Sequence, residues 1–259
     1  MTTATHTTGS DILERQHRRE RIASALKKLF CIALILVTLI PFYISVIYSI
    51  KFKNEITINH LAWPQNPTLS NYFRVVTENE QFLIGLKNSV MTTIPTIFLL
   101  MIICSMASWV LARHDTRFYS WMYTIMTMGT LIPFQCIMLP LYLNMFKAGL
   151  VSTNLGFIIA RSGLQVSISI LVITSFVKTV PRELEQAAEI DGCGKFQTFW
   201  QIVFPLLKPI NATQLVLNTV YVWNDYNTAV VLLRDKASRT LPLAQIVYFS
   251  ENTAELNLA

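Results

Sequence analysis

Of the 259 residues 53% are hydrophobic and only 14% charged, whereas a soluble domain carries about a quarter charged residues, so the composition is that of a membrane protein. The formal charge of +6 leaves no nucleic-acid footprint, because the basic residues stand at the ends of apolar runs and not in one stripe. Cys31, Cys104, Cys136 and Cys193 are far apart and mostly inside apolar runs, which points to no disulfide or zinc framework, and His6, His17, His60 and His114 form no ligand or catalytic cluster.

In chain order, residues 1–10 are polar and Thr-rich and are expected to be disordered. Arg15, Arg18, Arg19, Arg21, Lys27 and Lys28 then outnumber Asp11, Glu14 and Glu20. A basic segment beside a span is a cytoplasmic topology signal that also suits anionic lipid headgroups. The first apolar run, Leu29–Ile50, carries no charge and starts too late and runs too long for a signal-peptide core. Pro41 is expected to bend it. Lys51–Leu86 is polar, with turns at Trp63-Pro64 and Asn66-Pro67. Further apolar runs follow at Asn88–Ala112, Phe118–Phe146, Asn154–Val177 and Ile210–Leu233, giving five spans in an all-α, polytopic membrane protein. Placing the N-terminus in the cytoplasm puts Arg113, Arg117, Lys178, Arg182, Lys195 and Lys208 inside as well, a moderate inward bias that also places residues 180–209 inside.

Val180–Pro209, VPRELEQAAEIDGCGKFQTFWQIVFPLLKP, is a charged amphipathic insertion between the last two runs. Pro181 suits a first helical position, and Glu183 and Glu185 then lie where the helix dipole favours negative charge. Leu184, Ala187 and Ala188 share a small, nearly flat face that allows close approach of another backbone. Gly192 and Gly194 are expected to break this helix. Phe196, Phe199, Trp200 and Val203 recur at i, i+3, i+4, i+7 and predict a second helix with one bulky apolar face.

These residues resemble the cytoplasmic "EAA" loop of bacterial ABC importer permeases, Glu-Ala-Ala, three residues, Gly, nine residues, Ile-x-Leu-Pro. Here Gln186-Ala187-Ala188, Gly192 and Ile202-Val203-Phe204-Pro205 hold the spacing, while Gln186 and Phe204 depart in identity. Neighbouring Glu185 is the substitute acid for any ion pair the family's Glu makes. An ordinary helical hairpin would give helices but not this spacing. Ile190-Asp191-Gly192 and Pro205–Pro209 resemble the carbohydrate branch, and most its smaller, maltose-type permease. Leu69-Ser70-Asn71-Tyr72 resembles the outer loop of sugar permeases, and Ile132-Pro133-Phe134 and Leu139-Pro140-Leu141 are similar to sequences of the family; Leu241-Pro242-Leu243 follows in an outer segment.

The resemblance implies a type I ABC importer transmembrane domain over residues 29–259, a basic N-terminal segment over 1–28 and a coupling loop over 180–209, in a bacterial cytoplasmic (inner) membrane. It implies ATPase coupling through Glu185, Gln186, Ala187, Ala188, Asp191 and Gly192, and a lever action of residues 187–192. It also implies a second permease subunit, two ABC ATPase subunits, an extracytoplasmic solute-binding protein and a sugar substrate. The family adds a sixth span, so residues 234–259 are read as an outer segment before a truncation, with a naturally shortened subunit as the alternative. Within that segment Ser250, Glu251, Asn252 and Thr253 correspond to a loop that contacts the binding protein. Other solutes, such as glycerol phosphate, a polyamine or a peptide, remain open, as does a non-transporting scaffold or sensor.

No catalytic set survives inspection: Gly192-Cys193-Gly194-Lys195 lacks the spacing of a phosphate loop, and Phe196 stands where a magnesium-binding hydroxyl is needed. No metal or cofactor is expected on this chain, and ATP and Mg belong to the partner ATPases. Asp225, in Trp223-Asn224-Asp225-Tyr226, is a charge inside an apolar run and therefore a functional candidate. Substrate contact and a structural role at a subunit interface are equally open for it. Asn218, Tyr221 and Asn224 are grouped with it along the pathway. Arg161 is expected to snorkel to headgroups more than to face a cavity.

Overall fold

A run of apolar residues in lipid has to satisfy its backbone internally, and here it does so by helix: among the described residues there is no strand. The computed structural model describes residues 9–249 and Leu258. The predicted disorder at residues 1–10 lies outside these residues except at Gly9 and Ser10, which open the first helix. Of the described residues, 9–74 belong to one compact unit, and a second begins at Val75.

In the first unit, α1 (Gly9–Ser49) is a single helix of 41 residues. The basic segment and the first apolar run are thus continuous, and Pro41 lies inside the helix without ending it. Side chains from Leu29 to Tyr43, within the apolar run, are exposed, and a helix that is apolar all round and uncovered belongs in hydrocarbon. The loop after α1, with the short α2 (Lys53–Ile58), folds back on its end. Asn71 Nδ2 donates to Ser49 O and Lys51 O at 2.9 and 2.8 Å, and buried Lys51 donates from Nζ to Asn59 O at 2.9 Å.

After α3 (Ser70–Glu78), which crosses into it, the second unit is built on α4 (Glu80–Arg113) and α7 (Asn154–Val177). The buried residues of α4 include Ser89, Thr92, Thr93, Thr96, Ser105 and Ser108, and those of α7 include Gly156, Ala160, Ser162 and Ser169. Small residues let two backbones approach where lipid supplies no hydrophobic drive. Their hydroxyls return hydrogen bonds to the helices, as in Thr92 Oγ1 to Asn88 O at 2.8 Å and Thr96 Oγ1 to Thr92 O at 2.7 Å. Gly156 packs so close that an added Cβ would strike Leu150 O.

Two predicted spans are not single helices. The third run divides into α5 (Arg117–Met128), a 3₁₀ turn over Gly129–Leu131 and α6 (Phe134–Lys147), bent by 104° at the break. Pro133 accounts for it: it has no N–H to donate and holds Ile132 in an extended conformation. The fifth run divides into α11 (Lys208–Trp223) and α12 (Tyr226–Leu232). The described residues thus hold three helices long and apolar enough to cross a membrane, or four with the bent pair counted as one span. The segment after α12 returns onto α4, where Asn88 Nδ2 donates to Ala237 O and Arg239 O and Ser89 Oγ accepts from Leu241 N at 2.8 Å.

Candidate functional site

Two regions of the second unit gather the predicted functional residues. The first is the insertion between α7 and α11. Its first helix, α8 (Glu183–Ile190), starts two residues later than Pro181 suggests, with Arg182 as N-cap. It ends in a Schellman motif: Cys193 N donates to Ala188 O at 2.9 Å and Gly192 N to Glu189 O at 3.1 Å. Gly192 carries the positive φ of 84° that this cap demands. Gly194 plays a different part from the predicted one, standing extended as N-cap of α9 (Lys195–Thr198).

From Phe199 to Val203 the second arm helix loosens into a π-helix before α10 (Phe204–Leu206). Phe199, Val203 and Leu207 enter the core beside Leu100, Cys104, Ile170, Ile173 and Val177. The predicted single apolar face is therefore split, with Phe199 and Val203 buried and Phe196 exposed. The wider π turn is what seats Phe199 against Trp109, ring centroids 5.6 Å apart.

The inward side of α8 also differs from the expected one. Ala188 is buried, but Leu184 and Ala187 are exposed together with Gln186, Ile190, Asp191 and Gly192. Glu185 turns inward. Its Oε1 accepts from Arg113 Nε at 2.8 Å and lies 2.7 Å from the same guanidinium's NH2, while Oε2 accepts from Trp109 Nε1 at 2.9 Å. Arg113 NH2 also donates to Val180 O at 2.9 Å. Glu185, beside the motif position, thus makes an ion pair within this chain, while Gln186 is exposed.

The second region is a cavity of about 810 Å³ between α7, the α5–α6 break and the α11–α12 break. Tyr221, Asn224 and Asp225 line it, with Thr130, Asn227 and Arg161. Arg161 does not snorkel: its side chain is only 13% exposed, and its Nε lies 3.1 Å from Asp225 Oδ2. The two atoms are close but not aligned as a hydrogen bond, so the link is mainly electrostatic. Arg161 NH2 donates to Tyr221 O at 3.2 Å, a carbonyl near the end of α11. Asp225 also caps α12, its Oδ1 accepting from Thr228 N at 3.0 Å. One carboxylate thereby holds the helix break and compensates the cavity's arginine, and these two are the charged residues lining it.

Asn218, grouped with these residues from the sequence, does not line this cavity. It is buried between helices, accepting from Gln165 Nε2 at 2.9 Å and donating to Ser169 Oγ and Gln214 Oε1 at 3.4 and 3.3 Å. Ser250, Glu251, Asn252 and Thr253 lie outside the described residues. Trp109 and Arg113, the partners of Glu185, were not anticipated from the sequence, and Arg161 was assigned there to headgroups in preference to the cavity. The signal for Arg161 was a lone charge in an apolar run able to pair with Asp225. Trp109 and Arg113 are one helical turn apart at the end of a span, which carries no motif.

The long small-residue helices, the broken spans and the capped arm define an ABC-importer type of transmembrane subunit. The family of binding-protein-dependent transport system inner membrane components matches residues 83–256, and the chain belongs to it. It is a multi-pass permease component and not itself an enzyme. Among its relatives, the probable starch degradation products transport system permease protein AmyC of Thermoanaerobacterium thermosulfurigenes is 32% identical over 93% of this chain and 87% of its own. The melibiose/raffinose/stachyose import permease protein MelC of Bacillus subtilis is 33% identical over 85% of this chain and 79% of its own. The fold is shared with a bacterial ABC transporter involved in import of the acidic polysaccharide alginate, with a TM-score of 0.81, 22% identity, and coverage of 93% of this chain and 90% of that one.

Proposed function

We propose that this chain is the permease subunit of an ATP-driven carbohydrate importer, forming half of the translocation path with a second permease. The sugar assignment is supported by relatives whose names describe transport of starch degradation products and of melibiose, raffinose and stachyose. It is also supported by the cavity, where exposed Tyr221 offers a ring face and Asn224, Asn227 and Thr130 offer hydroxyl partners. Two ATPase subunits, holding ATP and Mg, dock on the two permeases' arms, and a solute-binding protein delivers sugar from outside, with residues 250–253 as its contact. The N-terminus and the arm lie in the cytoplasm, in line with the basic N-terminal segment. The 29–259 transmembrane domain then rocks as the ATPases close.

The observation that carries the coupling role is the division of α8 into an anchored side, Glu185 and Ala188, and an open side, Gln186, Ala187, Ile190 and Asp191. A helix fixed on one flank and uncovered on the other is built to be pushed. The experiment is uptake by the reconstituted complex of both permeases, both ATPases and the binding protein. Uptake of a neutral oligosaccharide that needs ATP and binding protein is expected; ATP hydrolysis without uptake of any saccharide would overturn the reading.

A further inference from the structure

The arm joins the membrane core at two places that differ in chemistry. At its C-terminal end the joint is apolar: Phe199, Val203 and Leu207, each no more than 1% exposed, are packed among core residues of α4 and α7. At its N-terminal end the joint is polar and rests on one carboxylate. Trp109 and Arg113, one turn apart on α4, present an indole N–H and a guanidinium fork to the two oxygens of Glu185, whose side chain is 13% exposed. Arg113 reaches further, to Val180 O, and so grips the arm both at its first residue and within its first helix. Arg182 to Asp115, the other ion pair here, is exposed at 50% and 80% and adds little rigidity.

A force delivered to the open side of α8 can leave by either end. Between Val177 and Glu183 the backbone has no regular helix, so without a fixed point there the first half of the arm would swing on this segment and absorb the displacement. The Glu185 joint closes that route, because its hydrogen bonds come from two side chains of one continuous helix and fix both the position and the rotation of the carboxylate.

We propose that Glu185, held by Trp109 and Arg113, is the positioning residue that passes arm movement to α4, and that Gln186 leaves this task to it. The inference rests on the arm being the ATPase-docking element. It differs from docking itself, since Glu185 faces this chain's own span and not the open surface.

The test compares the complete complex, wild type against Glu185→Ala, Arg113→Lys and Trp109→Phe, in proteoliposomes with sugar uptake and ATP hydrolysis measured together. A joint predicts that sugar moved per ATP falls at least tenfold in Glu185→Ala and several-fold in Arg113→Lys, which keeps the charge but loses the fork. Glu185→Gln, which retains one acceptor oxygen, should fall between Glu185→Ala and wild type. A ratio equal to wild type, even with both rates lowered in parallel, would overturn the joint. If Glu185→Ala yields no assembled complex, Trp109→Phe and Arg113→Lys decide by the same ratio. A wild-type complex with no ATP-dependent uptake would instead overturn the transport reading beneath it.

Discussion

Replacing Asp225 with asparagine separates two roles that one carboxylate holds. The amide still accepts from Thr228 N, because asparagine is as good an N-cap as aspartate, but it no longer compensates Arg161. The pair is 3.1 Å apart, with side chains 13% and 7% exposed. Removing one partner of such a pair leaves an uncompensated charge and costs about 3–5 kcal/mol, whereas replacing both often costs little. Asp225→Asn and Arg161→Gln are each expected to destabilise by about 3 kcal/mol, and the double variant by about 1 kcal/mol. At roughly 2–4 °C per kcal/mol for a chain of this size, each single variant should lower the thermal midpoint in detergent by about 6–12 °C and the double variant by about 4 °C at most. Asp225→Ala, which also loses the cap, should fall about 1 kcal/mol further than Asp225→Asn. Additive single effects in the double variant, or single variants that unfold like wild type, would refute the view that the two charges compensate each other across the cavity.

Adjacent alanines on the arm should behave oppositely: Ala188→Trp overpacks a buried site and destabilises by about 1–3 kcal/mol or more, while exposed Ala187→Trp should fold normally yet fail to retain ATPase subunits in a pull-down. Gly192→Ala forces a Cβ onto a φ of 84° at a cost of about 1–2 kcal/mol, and should speed amide exchange at position 192 and at Cys193, with reduced uptake. Asn218→Leu strands the amide of Gln165 between helices and should cost about 1–3 kcal/mol in thermal stability, with little change in which saccharide is taken up.

The apolar runs and the arm's spacing were legible because each depends on local chemistry: hydrophobic length, a proline, a glycine able to adopt positive φ. Gly192 illustrates this, since its place in the motif and its Schellman geometry are the same fact seen twice. What sequence periodicity missed was tertiary choice. Leu184, Ala187 and Ala188 form one face on a helical wheel, yet only Ala188 is buried, because the Glu185 ion pair sets the rotation of α8 and no wheel contains Arg113. The breaks at Ile132-Pro133 and Asn224-Asp225 lie inside runs whose hydropathy reads as continuous. Pro133 stands at the first, but the run around it was read as one span. At the second, Asp225 was visible as a costly charge, but its double use as cap and counter-ion required Arg161 from 64 positions away in the chain. Asn218 was grouped with Asp225 by its spacing of seven residues, which holds only while one helix continues, and α11 ends at Trp223.

The docking claim is tested most directly by a photoreactive amino acid placed at position 187 and irradiated in native membranes. The account predicts a cross-link between this chain and an ATPase subunit, strong from 187 on the open side of α8 and absent from 109 beneath it. Labelling from 187 that yields only lipid adducts, or cross-links solely within this chain, would contradict it.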